Sequence, residues 1–175
     1  FFAPTCEFLP TLNASVRLAK TYKDEIGRTV YLEAPEGDAD SPVQNVQVSY
    51  STNSLGQMVK TSTAVTTGQS HVETFDFNER LISKVDPDGN ELSYEYNAIG
   101  DLLSVSANGV ELMRMTYDDL GRKTTMVDSN MGSWSYEYNT KNQLWKQTDA
   151  NGNVVENTYD SFGRLETKYH YDASA

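Results

Sequence analysis

The segment Tyr159-Asp160-Ser161-Phe162-Gly163 has three counterparts earlier in the chain, at successive intervals of 21 residues. All four segments share the pattern Tyr-Asx-x-x-Gly, except that one has Asn in place of the glycine. Self-similarity at a fixed period is the sequence signature of a repeat protein. The positions that we predict to be structural in this turn are Tyr96, Tyr117, Tyr138, Tyr159, Gly100, Gly121, Asn142 and Gly163.

A second turn signal lies between these segments. It is strongest in Asp86-Pro87-Asp88-Gly89-Asn90, and shorter in Ala107-Asn108-Gly109. Two turns and two strands of about 5–6 residues fill a unit of this length, so each unit is predicted to be a β-hairpin. The structural positions predicted for the second turn are Asp86, Gly89, Asp128, Asp149 and Gly152.

Each residue type in the first turn has a physical reason. The Asx side chain can accept a hydrogen bond from the backbone two residues on, which opens the turn. The glycine three positions later supplies a positive φ after a type I turn. Asn142 replaces this glycine in one unit, and asparagine is among the residues that best tolerate a positive φ.

We therefore predict an all-β fold in which tandem hairpins of about 21 residues form a long curved antiparallel sheet, part of a hollow shell. Open sheets rarely exceed about 10 strands without curling, and eight units would supply roughly sixteen. The last strand is predicted to place Leu165, Thr167, Tyr169 and Tyr171 on one face, since strand side chains alternate.

The regularity of the pattern divides the chain into an irregular lead-in at 1–20, degenerate repeats at 21–74 and regular repeats at 75–175. Among the degenerate units, the one at Tyr22 is interpreted as carrying one extra residue and the one at Tyr50 two, and the unit at Phe77 as lacking two. Residues 37–42 and 66–70 are predicted to be loops.

Composition and charge exclude some classes of partner. The 175 residues carry a net charge of −11, which argues against nucleic-acid and anionic-membrane partners because both need basic patches. No apolar run reaches the about 20 residues of a membrane-spanning helix. The first residues show no signal-peptide pattern and no initiator Met, so we expect a piece of a longer protein. Cys6 is the single cysteine and cannot form an internal disulfide.

The repeats resemble the YD-repeat, or Rhs-repeat, family, whose motif begins Tyr-Asp-x-x-Gly-Arg. The matching segments begin at Tyr117 and Tyr159, and the units at Tyr96 and Tyr138 are degenerate. The resemblance is strong over about 75–175, weaker over 20–74 and absent before that. Four copies in register at a fixed spacing are specific, whereas one would be weak evidence.

The resemblance implies long antiparallel β-ribbons that spiral into hollow shells, as in bacterial Rhs proteins, the C component of bacterial toxin complexes and teneurins. In the bacterial members the shell encloses a C-terminal toxin that an aspartyl autoprotease site releases. Neither an autoprotease core nor a toxin domain is visible here. Asp86-Pro87-Asp88-Gly89 superficially resembles the family's Asp-Pro-x-Gly cleavage region, but it occupies an ordinary second turn.

The leading functional prediction is a structural, encapsulating segment of a secreted or surface-delivered bacterial protein, with neighbouring repeats and an enclosed toxin as partners. It needs no cofactor and no catalytic residue. Glycan adhesion through Trp134 and Trp145 is a second possibility, and calcium binding at turns such as 86–90 a third. An enzyme is not expected, since neither His71 nor His170 belongs to a recognisable catalytic set. Self-association through sheet edges is left open.

Overall fold

The computed structural model describes residues 4–8, 18–34 and 45–173. Within these ranges every regular element is a β-strand, which confirms the all-β fold class. The described part of the chain has no helix, and therefore none long and apolar enough to cross a membrane. The chain divides into two units, Phe1–Glu91 (unit 1) and Leu92–Ala175 (unit 2).

Consecutive strands pair antiparallel within each unit, in the order of the sequence, as tandem hairpins require. The strands of unit 1 are β1 (Pro4–Phe8), β2 (Leu18–Lys23), β3 (Thr29–Glu33), β4 (Val46–Thr52), β5 (Met58–Ala64), β6 (Ser70–Phe75) and β7 (Leu81–Val85). Those of unit 2 are β8 (Glu91–Tyr96), whose first residue closes unit 1, β9 (Leu102–Ala107), β10 (Val110–Tyr117), β11 (Lys123–Asp128), β12 (Gly132–Tyr138), β13 (Leu144–Thr148), β14 (Val154–Tyr159) and β15 (Leu165–Tyr171).

Part of the predicted irregular lead-in is a strand. Residues 4–8 form β1 and pair with β2 from Pro4–Tyr22 to Phe8–Leu18. Pro4 stands at the first position of the strand, where the missing N–H is tolerated. The loop predicted at 66–70 lies between β5 and β6, with Ser70 already in β6. The loop predicted at 37–42 lies outside the described residues.

The repeat is more regular around residue 77 than the sequence pattern indicated. The turn opens at Asp76, whose N–H donates to the Arg80 carbonyl (2.9 Å), so Phe75 and not Phe77 takes the tyrosine position. Phe75 precedes Tyr96 by 21 residues, and the unit lacks nothing. The prediction was wrong because Phe replaces Tyr and Glu79 replaces Gly, although Glu79 still adopts a φ of 61°.

The two faces of unit 2 differ in chemistry. Side chains that pair across strands share a face, and the register therefore places Tyr136, Gln147, Val155 and His170 on the same side. We call this side the aromatic face; its other large members include Tyr94, Met113, Met115, Tyr117, Met126, Trp134, Tyr138 and Tyr159. The polar face carries mainly Ser104, Ser106, Arg114, Thr116, Thr125, Ser133, Ser135, Lys146, Thr148 and Glu156.

The tyrosines of the last strand lie on the other side from those of the preceding repeats. Tyr169 pairs with Glu156 and Tyr171 with Val154, which places both on the polar face. They share a face as predicted, with stacked rings whose centroids are 6.5 Å apart. They do not continue the tyrosine series, however, because Tyr171 follows Tyr159 by only 12 residues.

The sheet layer buries little. Among the described residues only Val48, Ser104, Met115 and Met126 are buried, and the two methionines are cross-strand partners. Backbone pairing and turn chemistry must therefore carry much of the stability that a hydrophobic core usually provides.

Replacing Glu79 with glycine should stabilise the chain. Glu79 holds a positive φ that costs a residue with a Cβ about 1 kcal/mol, and Gly removes this cost. We expect Glu79→Gly to raise the free energy of unfolding by up to about 1 kcal/mol in urea titrations. The control Asn78→Gly, at a turn position without a positive φ, should lower it through added freedom of the unfolded chain. Equal effects of the two changes would contradict the strain at Glu79.

Candidate functional site

The candidate site is one edge of unit 2, where turns that follow a tyrosine recur. Alternate turns of an antiparallel meander lie at the same edge. We call this the tyrosine edge; its turns are 97–101, 118–122, 139–143 and 160–164. The opposite edge contains the turns 107–110, 128–132 and 149–153.

The turn at Asp118 shows how the sequence builds each corner. Its Oδ1 accepts hydrogen bonds from the backbone N–H groups of Leu120 and Arg122, both at 3.0 Å. Its Oδ2 accepts a bond from Arg122 Nε at 2.7 Å. The N–H of Gly121 donates to the Asp118 carbonyl at 2.9 Å, and Gly121 has a φ of 74°. The result is a type I turn closed by a residue with positive φ, the hairpin loop inferred from the sequence.

The same backbone pattern recurs through both units. The first residue's N–H donates to the fifth residue's carbonyl, and the fourth residue's N–H donates to the first residue's carbonyl. The first and fifth side chains also bond to each other, as Asp–Arg, Asp–Asn, Asn–Gln or Asn–Asp pairs. The described turns of this kind are 24–28, 53–57, 76–80, 86–90, 97–101, 118–122, 139–143, 149–153 and 160–164.

The residues singled out from the sequence take defined places in these turns. Tyr96, Tyr117, Tyr138 and Tyr159 each end the strand before a turn of the tyrosine edge. Asp86, Asp128 and Asp149 open turns through their side-chain oxygens. The residues with positive φ are Gly89, Gly100, Gly121, Asn142, Gly152 and Gly163. In the units at Tyr22 and Tyr50, the turns at Asp24 and Asn53 are regular, and the extra residues lie between the tyrosine and the turn.

Tyrosine hydroxyls join neighbouring hairpins at the tyrosine edge. Tyr117 donates to the Leu102 carbonyl (2.9 Å), Tyr138 to that of Lys123 (2.9 Å) and Tyr159 to that of Leu144 (2.6 Å). Each acceptor lies 15 residues before its donor. In unit 1, Tyr50 donates in the same way to the Thr29 carbonyl (3.1 Å).

The strand ladder explains why these carbonyls need a side-chain donor. Between hairpins the register ends short of the edge, for example at Ser135–Thr125 between β12 and β11. Within each hairpin of unit 2 the register shifts beside the turn, as where Thr116 pairs with Thr125 but Tyr117 with Lys123, which leaves Thr124 as the bulge residue just after the turn. The first carbonyl after the turn therefore lies beyond the inter-hairpin ladder, and the phenolic hydroxyl satisfies it.

Adjacent turns of the tyrosine edge also contact each other. Arg122 Nη1 donates to Asn142 Oδ1 at 2.8 Å, and its guanidinium carbon lies 4.8 Å from the ring centroid of Tyr138. Gln143 Nε2 donates to the Gly163 carbonyl at 3.0 Å. The fifth residue of one turn thus reaches the positive-φ residue of the next, which couples successive hairpins.

The opposite edge is held by close packing of small residues. A Cβ placed on Gly132 would lie 2.6 Å from the Cβ of Ala150, so a side chain does not fit there without movement. Asn108 and Gly109 both have positive φ and form a two-residue turn. The Ala173 N–H donates to Asn153 Oδ1 at 3.1 Å.

The pKa values of the turn carboxyls and of the neighbouring phenols shift in opposite directions. The side chain and then the backbone N–H of Arg122 lower the pKa of Asp118. The Asn153 side-chain amide does the most to lower the pKa of Asp149. Partial burial, and next the charge of Asp118, raise the pKa of Tyr138. The folded chain therefore favours ionised turn aspartates and protonated tyrosines.

The turns proposed for calcium use their oxygens internally. Asp86 Oδ1 accepts from the N–H groups of Asp88 and Asn90, and Oδ2 accepts from the Asn90 amide. No group of three His, Cys, Asp or Glu residues suited to a metal ion occurs in the described ranges. Calcium binding at these turns stays a prediction from the sequence.

The two tryptophans are not brought to one place. Trp134 lines a groove of about 250 Å³ together with Gln147, Val155 and His170 of the aromatic face. Trp145 does not line this groove. The Lys146 Nζ lies 5.8 Å from the centroid of the Trp145 ring. Glycan binding remains a prediction from the sequence.

Two functional contacts escaped the sequence analysis. One is the acceptor of each tyrosine hydroxyl, which lies in the preceding hairpin and has no residue-type signal. The other is the bond between the first and fifth turn residues. The Arg of Tyr-Asp-x-x-Gly-Arg was a usable signal for this bond, since a cation four residues after an Asp can pair with it across a turn.

The comparisons with known proteins concern the fold. No family model matches the chain, and neither does any curated protein. The chain is similar to the crystal structure of TcdB2-TccC3 without its hypervariable C-terminal region, with 12% identity over 90% of this chain and a TM-score of 0.70. It is also similar to TcdB2-TccC3-TEV (12%, 90%, 0.68) and to TcdB2-TccC3 (14%, 97%, 0.62).

This likeness supports a repeat fold related to the predicted one. At such low identity it shows the fold alone. The chain spans 8%, 9% and 10% of the three matched chains, respectively. A segment of this size is therefore a small part of the proteins that share its fold.

Removing one phenolic hydroxyl should weaken the junction between hairpins. Tyr138→Phe keeps the ring against Arg122 but leaves the Lys123 carbonyl without its donor. We expect a loss of about 1 kcal/mol in the free energy of unfolding. Tyr136→Phe is the matched control because its ring lies on the same face and no bond of its hydroxyl is seen in the described structure. Equal losses in the two variants would contradict the role of the Tyr138 bond.

Acid should destabilise the chain through the turn aspartates. Their pKa values lie below the ordinary 3.8 when folded, so near that pH the unfolded chain binds more protons and stability falls as pH falls. The stabilisation should be complete above about pH 5 and be lost as pH drops through the lowered pKa values. Urea midpoints between pH 2.5 and about 7 test this. Asp118→Asn, which copies the natural Asn139, should flatten the profile; an unchanged slope would contradict the assignment.

Proposed function

We propose that this chain is a non-catalytic wall segment of a larger bacterial protein, and that the wall encloses a cargo domain and excludes proteases from it. The observation that carries the proposal is the combination of an almost coreless layer with hairpins joined to one another at both edges. A layer with so few buried residues suits a barrier better than it suits an enzyme or a small-ligand binding protein.

A barrier works by leaving no opening. Strands in a ladder lie about 4.8 Å apart, which is too close for a polypeptide to pass between them. The weak points are the places where the ladder between hairpins ends early. At the tyrosine edge the hydroxyl bonds of Tyr117, Tyr138 and Tyr159 close these places. The repeat motif thus supplies both the turn and the hydrogen bond that joins neighbouring hairpins.

The aspartates that open the turns are used structurally. The aspartates that open the five-residue turns each accept two backbone N–H groups and a partner side chain, as Asp160 does from Phe162, Arg164 and the Arg164 side chain. Asp128 accepts two backbone N–H groups. His170 is exposed on the last strand. The proposal therefore assigns no residue a catalytic role.

The wider context rests on similarity. The family that the sequence resembles includes shells around a C-terminal toxin, and one structure with a similar fold is of TcdB2-TccC3 without a hypervariable C-terminal region. By analogy, the partners of this segment are neighbouring repeats and an enclosed effector, and the parent protein is secreted or carried at the cell surface.

Protease protection of the cargo tests the wall function. In the full-length parent protein, we expect the domain after the repeats to survive trypsin at a concentration that digests the same domain alone. Gly132→Val should open the opposite edge through the Ala150 clash and make the cargo digestible. Met131→Ala, at an exposed neighbouring position, should preserve protection. Equal digestion of the enclosed and the isolated domain would overturn the proposal.

A further inference from the structure

The turns of the tyrosine edge carry large apolar side chains at their tips. The third turn residue is Ile99, Leu120 or Phe162 in three of the four turns, with exposed fractions of 77%, 65% and 83%. In unit 1 two turns repeat the choice at the same position, with Ile26 at 75% and Leu55 at 70%, whereas the turn 76–80 has Asn78 there. Single exposed apolar residues need no explanation, but recurrence at one position of a repeated turn does.

Turn geometry does not require these residues. At the opposite edge of unit 2, the third residue of the turn 149–153 is Asn151, and that of 128–132 is Asn130. In unit 1, the turn 86–90 has Asp88 there. The backbone bonds of 86–90 and 149–153 are the same as those of the tyrosine edge. Turn geometry therefore does not explain the apolar tips. The Phe162 ring has the Arg164 guanidinium carbon of its own turn 5.3 Å from its centroid, yet the residue stays 83% exposed.

Charges of both signs lie on the tyrosine edge. Asp118 and Asp160 are neutralised by arginines of their own turns. Asp119 and Lys141 lie exposed in the two middle turns, and the described structure shows no ion pair for either. The turns of the opposite edge contain no lysine or arginine at all, so only the tyrosine edge can offer both signs to a partner.

The geometry points to a second copy of this chain as the partner, packed antiparallel along the tyrosine edge. In this arrangement the first turn lies opposite the fourth, and Ile99 meets Phe162 of the second copy. The second turn lies opposite the third, so Asp119 meets Lys141 of the second copy and Leu120 packs along the aliphatic part of that lysine. A two-fold axis satisfies every contact twice.

Spacing favours another copy over an unrelated partner. Successive turns on one edge are two strands apart, or about 10 Å. A second copy has the same spacing and keeps all four turns in register, whereas an ordinary surface does not. The contact is small compared with the about 1,200 Å² of a stable interface, so we expect weak association that appears only at high concentration. Neither the contact nor its test depends on the wall function.

Sedimentation velocity over a concentration series tests this contact on the 175-residue chain. Phe162→Ser should weaken dimerisation at least about tenfold, and Asn151→Ser, the same turn position at the opposite edge, should leave it unchanged. Both positions are exposed, and far-UV circular dichroism checks that each variant folds.

Charge reversal provides the decisive pair of variants. Asp119→Lys and Lys141→Asp should each weaken dimerisation severalfold, and the double variant should restore it to near the wild-type level. The open strand β15 is the competing surface, since exposed edge strands can pair with one another. The double variant Tyr169→Lys/Tyr171→Lys tests pairing through β15. The proposal is overturned if the wild type is monomeric, if the single charge reversals have no effect, or if only the β15 variant loses the dimer.

Discussion

Adjacent hairpins of unit 2 are joined at the tyrosine edge by one recurring bond, from a tyrosine hydroxyl to a carbonyl 15 residues earlier. The bond is needed because each hairpin turns through a compact loop with a bulge, which ends the ladder between hairpins before it reaches the edge. In a layer with almost no core, this seam would otherwise expose unpaired carbonyls. This bond also explains the fixed repeat length, because the tyrosine that donates it must stand at the same position in every hairpin.

The sequence was sufficient for features set by local backbone chemistry. Asx residues and residues with positive φ located the turns, including the one in which Asn142 replaces glycine. The sequence was misleading where the structure overrides residue type. Glu79 adopts a positive φ although it is neither Gly nor Asn, and the predicted turn of its unit was therefore misplaced. The face of Tyr169 and Tyr171 also depends on strand pairing, which alternation alone cannot supply. The acceptors of the tyrosine hydroxyls were unpredictable because any residue has a carbonyl.

The two faces and the two edges of unit 2 differ in the residues that they carry. The aromatic face holds the tyrosines that close the seams between hairpins, while the polar face carries mainly Ser, Thr and charged side chains. One edge combines ion pairs with apolar turn tips, and the other has mainly small and polar turn residues, with Met131 and Val110 as exposed exceptions. A layer with these properties can face water on both sides, which suits a wall and explains the sparse aliphatic composition.

Native-state amide hydrogen exchange of unit 2 tests most directly whether the tyrosine edge couples the hairpins. If the hydroxyl bonds and turn-to-turn contacts join the hairpins, the slowest amides of β10 to β14 should exchange with one common opening free energy that falls together in mild denaturant. If each hairpin instead opens with its own free energy, and protection falls hairpin by hairpin along the chain, the seams do not carry the stability assigned to them.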